Sequence, residues 1–145
     1  MNARLALTCF GHDESRNFFL FPVMVKYLAV ECFYGKNDYG FLFYQKHLSR
    51  HRGLAVHSLS HFMQLLESVT NEMRIKRALI IDQNNVLRDG EHRLAIALYH
   101  SLDVKIEKAY YDYPVRIVSL LDYQRLSMSF SDLQILIQTY QRLIT

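Results

Sequence analysis

The chain has 145 residues, of which 50% are hydrophobic and 21% charged, with a formal net charge of +3. That balance excludes a disordered chain, and the charge is too small to mark a DNA binder by itself. The length suits one domain, residues 1–145, divided into a helical N-terminal extension (1–55), a core (56–112) and C-terminal helices (113–145).

No apolar run reaches the ~20 residues that a membrane span needs. The most apolar stretch, residues 18–33, is interrupted by Pro22, Lys26 and Glu31. Cys9 and Cys32 lie far apart in apolar surroundings, without a zinc-type spacing. They read as buried thiols, and the protein as cytoplasmic with no dedicated metal site.

In chain order, residues 3–10 suit a short strand or a frayed lead-in, and 11–17 a polar loop in which Ser15 or Asn17 caps the next helix. Residues 18–34 are apolar nearly all round, which predicts a buried helix with Pro22 in its first turn. Residues 35–38 form a turn before a second helix over 39–50. Tyr44 and His47 share a face of that helix. They are either a packed tyrosine and a surface histidine or, with Arg50, part of a pocket. Arg50, His51, Arg52 and Gly53 close the helix with positive charge at its favourable end. Ser58 or Ser60 is expected to cap a third helix reaching Met73, with Phe62, Leu65, Leu66 and Val69 inward.

Residues 78–81 read as a buried strand, 82–85 as a turn through Asn84 and Asn85, and Val86-Leu87 as a second strand. Asp89-Gly90-Glu91-His92-Arg93 comes next, and then Leu94, Ala95, Ala97 and Leu98 at helical spacing up to Ser101. A strand thus runs through a polar knot into a helix start, where unpaired N–H groups and the positive dipole end attract anions. Gly90 permits close backbone approach, and His92 and Arg93 add donors suited to phosphate. Arg88 is a further candidate, or else pairs with an acidic neighbour. Residues 104–109 alternate as a half-exposed strand. Tyr110, Tyr111 and Tyr113 either pack around Pro114 or stack on a base. Residues 115–126 suggest mostly helix, and Ser129 or Ser131 caps a last helix over 132–143.

The run from Val86 to Ala97, with Gly90-Glu91-His92-Arg93 at its centre and a strand after it, resembles the ParB/sulfiredoxin superfamily. The resemblance implies an α/β fold, a small mixed sheet flanked by helices, here with extra N-terminal helices. It implies a nucleotide cofactor, ATP or alternatively CTP, with Mg²⁺. Gly90, His92, Arg93 and Arg88 would hold phosphates, and Asp89, Glu91 and His92 would be the catalytic groups. Glu91 stands where sulfiredoxins carry their cysteine, which argues against sulfinic-acid reduction. The expected activity is phosphoryl transfer from ATP or ADP to a small hydroxyl substrate. The alternative is a non-catalytic, CTP-gated module that dimerises and works with DNA or a protein. DNA is the less favoured partner, because no clear basic recognition helix comes after the core.

Overall fold

The computed structural model describes residues 1–10, 12–13, 18–49, 55–115 and 118–145. Its elements are α1 (Ala3–Phe10), β1 (His12–Asp13), β2 (Phe18–Phe19), α2 (Phe21–Phe33), α3 (Gly40–Leu48), α4 (Ala55–Glu72), β3 (Leu79–Ile81), β4 (Leu87–Asp89), α5 (Glu91–His100), β5 (Ile106–Lys108), α6 (Leu120–Arg125) and α7 (Phe130–Ile144). The fold is mixed α/β. A three-stranded sheet has the order β4-β3-β5, and β1 and β2 form a small antiparallel pair.

β3 and β4 form an antiparallel hairpin with an irregularity between Ile80 and Ile81, whereas β3 and β5 are parallel. The parallel pair requires a crossover, and α5 supplies it. The turn is built by Asp82, whose Oδ1 accepts the backbone N–H groups of Asn84 (2.8 Å) and Val86 (3.1 Å). Asn85 takes the left-handed backbone (φ 60°) that asparagine tolerates.

α2 is the centre of the core. Residues 21–30 are buried without a break, and Lys26 is the one charged residue among them. A helix apolar on every side must be surrounded, and α2 packs against α3, α5 and α7. Its C-terminal end is pinned by aromatics: Tyr34 stacks on Tyr99 of α5 at 4.8 Å and bonds His100 Nε2 at 3.0 Å. The last two helices open on capping boxes, Ser119 with Asp122 and Ser129 with Asp132.

Several expectations are corrected. Residues 3–10 are a helix, not a strand, because Ala3, Ala6 and Leu7 turn inward at helical spacing. Cys9 is exposed on the outer side of that helix and Cys32 is half-buried, so neither is a fully buried thiol. α4 begins at Ala55, which leaves Ser58 and Ser60 inside the helix and not at its cap. Among the described residues of 115–126, helix is limited to α6, and Ser129, not Ser131, caps α7. The caps at Ser15 or Asn17 and the Arg50–Gly53 cluster lie outside the described residues. No helix among the described residues is long and apolar enough to cross a membrane.

Candidate functional site

The polar knot is a tight corner. β4 ends at Asp89, Gly90 turns left-handed (φ 107°), and α5 starts at once. Any side chain at Gly90 would collide: a Cβ there would stand 2.6 Å from Leu79 Cδ2 and 3.0 Å from an Arg93 Nη. The first helical hydrogen bond is from Leu94 N–H to Gly90 C=O. Gly90 offers no side-chain acceptor to the helix, so the leading N–H groups of α5 are not capped from within.

Two cations meet this uncapped end. The first is Arg93, whose Nη2 donates to Ala78 C=O (2.9 Å) and lies 3.5 Å from Asp89 Oδ2. Its Nε is buried and finds no hydrogen-bond partner among the described residues. The second is Lys26, which reaches from the middle of α2 to within 3.6 Å of Glu91 Oε1. Its side chain is 5% exposed, against 34% for Glu91. The site therefore holds a deeply buried ammonium beside a positive helix end, with Glu91 and the largely exposed Asp89 as its carboxylates.

His92 is set differently from the other members of the knot. Its ring turns into an aromatic cage, 2.8 Å from the Tyr44 hydroxyl and edge-on to Phe62. Burial, with the charges of Lys26 and Arg93 adding to it, pushes its pKa down to about 3. The imidazole is neutral at pH 7 and adds no positive charge to the corner. Tyr44 is held above the ordinary phenol value, chiefly by burial and secondly by Glu91, so it stays protonated. The expected face sharing of Tyr44 and His47 is present, but His47 is buried, not at the surface, and bonds Tyr123 at 2.9 Å. Arg50 lies outside the described residues.

The His92 environment sets a pH dependence. An unfolded histidine titrates near 6.5, so between about pH 6.5 and 3 the unfolded chain binds a proton that the folded protein refuses. Stability is then complete above pH 6.5 and falls as the pH drops toward 3, by about 2–4 kcal/mol. His92→Gln should flatten that limb in urea titrations at pH 4 and 7. An unchanged slope would place the proton uptake elsewhere.

Arg88 faces away from this corner. Its Nε donates to Asp82 (2.8 Å) and its Nη2 to the Tyr113 carbonyl (2.6 Å), under the rings of Tyr111 and Tyr113. The acidic-neighbour alternative thus describes it, and the structure does not bring it to the other phosphate candidates. Asp89, Gly90, Glu91 and Arg93 are brought together.

Lys26 is the member that sequence reasoning passed over. Its signal was present: a single cation in an otherwise apolar helix is costly to bury unless it meets an opposite charge or a ligand. No family model, curated protein or solved structure matches this chain.

Proposed function

We propose that the Asp89–Arg93 corner binds the phosphates of a nucleotide and that the protein moves a phosphoryl group from ATP or ADP to a small hydroxyl acceptor. The observation that carries this reading is Lys26, a lysine buried in the core helix and aimed at the uncapped start of α5. An ammonium and a positive helix end side by side, with Glu91 beside them, attract an anion together more strongly than either does alone. The strand, glycine turn and helix around it support the finer assignment to a ParB/sulfiredoxin-like nucleotide-binding fold.

In this reading Lys26, Arg93 and the first N–H groups of α5 neutralise phosphate charge, the main requirement of phosphoryl transfer. Asp89, exposed at the rim, orients the acceptor hydroxyl and takes its proton as the acceptor oxygen bonds to phosphorus and the terminal P–O bond of the nucleotide breaks. Glu91 holds Lys26 in place. Both carboxylates already face cations, which suits a Mg²⁺ that arrives on the nucleotide's own phosphates.

Calorimetry with ATP, ADP, CTP and GTP, with and without Mg²⁺, tests the site. Lys26→Met, checked for native fold by circular dichroism, should bind the preferred nucleotide at least about tenfold more weakly. Asp89→Asn should keep binding and lose phosphoryl transfer. Undiminished binding by Lys26→Met would remove the site assignment. Binding of CTP alone, with dimerisation and no transfer, would replace the enzyme by the gated module.

A further inference from the structure

A concave surface lies at the turn end of the hairpin. The segment after β5 folds back over the turn and is fixed there at two places. Gln83 clamps Tyr111, its Nε2 donating to the Tyr111 carbonyl (2.8 Å) and its Oε1 accepting the Tyr111 N–H (3.0 Å). Arg88 holds the next turn of chain through the Tyr113 carbonyl. A cleft of about 400 Å³ results, lined by Asn84, Arg88, Tyr110, Tyr111, Asp112 and Tyr113 among others.

The anchoring exceeds what shielding Arg88 requires. Tyr111 is half-buried over the guanidinium, but Tyr110 and Tyr113 are 78% and 59% exposed. Rigidly mounted, exposed tyrosines offer large stacking area at low entropic cost. Tyr111 and Tyr113 stand nearly perpendicular (82°), which makes a corner and not a parallel-walled slot. A flat ring stacked on one tyrosine would turn its edge toward the rest of the cleft. Asn84 and Asp112 are exposed in that lining, one an amide and one a carboxylate. An amide pairs with the donor–acceptor edge of a base, and a carboxylate accepts from an exocyclic amino group. Arg88 is already balanced by Asp82, so among the described residues the cleft has no spare cation for a phosphate.

Resting on the nucleotide reading above, the geometry points to this tyrosine cleft as a stacking site for an amino-bearing nucleobase. Arg88 in its wall and Asp89 at the corner are neighbours on β4, so one strand serves both places. The cleft thus supplies base recognition that the phosphate corner, made of backbone and cations, lacks.

The test is calorimetry on the full chain with four kinds of ligand: a nucleotide (ATP or CTP), inorganic tripolyphosphate, a nucleoside (adenosine or cytidine), and a short single-stranded oligonucleotide. Tyr110→Ala and Tyr113→Ala should each weaken nucleotide binding about 5- to 100-fold and leave tripolyphosphate binding unchanged. Nucleotide affinity equal to the parent's in both variants would overturn the cleft while leaving the phosphate site intact. If neither nucleotide nor tripolyphosphate binds, the phosphate reading fails. Nucleoside binding that the tyrosine variants lose would then sustain the cleft, and its absence would end it. Oligonucleotide binding that the variants lose, without mononucleotide binding, supports base stacking but assigns the base to a strand.

Discussion

Gly40→Ala should be the most damaging glycine-to-alanine substitution among the described residues. Gly40 begins α3 where it crosses α2, and a Cβ there would stand 2.0 Å from the Leu28 carbonyl oxygen and 2.5 Å from its carbon. Both atoms are backbone of the central helix, so no rotamer change relieves the clash. The same carbonyl oxygen accepts from Asn37 Nδ2 (3.0 Å), and Asn37 Oδ1 accepts the Gly40 N–H (2.8 Å). Separating the helices would therefore also break the turn between them. A loss of about 3–5 kcal/mol is expected, read as a fall of about 10 °C or more in melting temperature. A variant within 1 kcal/mol of the parent would mean that the two helices are not in this close contact.

Asp82→Ala should cost a comparable amount for a different reason. The Asp82 side chain is 2% exposed and accepts from Arg88, Asn84 and Val86. Its removal strands a nearly buried guanidinium and two N–H groups, which typically costs about 3–5 kcal/mol. Asp82→Asn retains an amide oxygen for the turn and should cost less. Burial raises the carboxyl pKa, but the hydrogen bonds from Arg88, Val86 and Asn84 outweigh it and hold it below the ordinary value. A depressed carboxylate stabilises the fold above its unfolded pKa and loses that contribution as the pH falls through the folded value. The acid limb below about pH 4 should therefore be shallower in Asp82→Ala than in the parent. Chemical denaturation at pH 3 and pH 7 measures both effects.

The central part of the fold was legible because its signals are local. Asp82 and the two asparagines mark a turn, Gly90 marks a break, and the apolar spacing after it fits only a helix, so β3, β4, α5 and β5 fall near their expected places. Ser129 and Asp132 carry the S-x-x-D signature of a helix start. Where sequence reasoning failed, tertiary context decided. Leu5, Leu7 and Cys9 alternate like a strand, yet Ala3, Ala6 and Leu7 face the core as a helix. His47 has a polar ring and no local sign of burial; a hydrogen bond to Tyr123, 76 residues away, meets it inside. Lys26 and Glu91 are likewise remote in sequence, and no local pattern links them. His92 shows the converse: the motif suggests a phosphate donor, whereas Tyr44 and Phe62, contributed by α3 and α4, draw it inward.

Gly90 has a consequence for how such motifs persist. Its hydrogen is enclosed by Leu79 and Arg93, and its backbone is left-handed, so folding alone disfavours any other residue there. Arg93 likewise serves the fold by holding the Ala78 carbonyl. A descendant that had abandoned every ligand would keep both residues under selection for stability. Lys26 and Glu91 are different, because an apolar pair of similar volume could take the place of their ion pair at little cost to the fold. In a lineage of such proteins, therefore, the glycine–arginine pair would report the fold, and the Lys26–Glu91 pair is the part that folding alone leaves free to change.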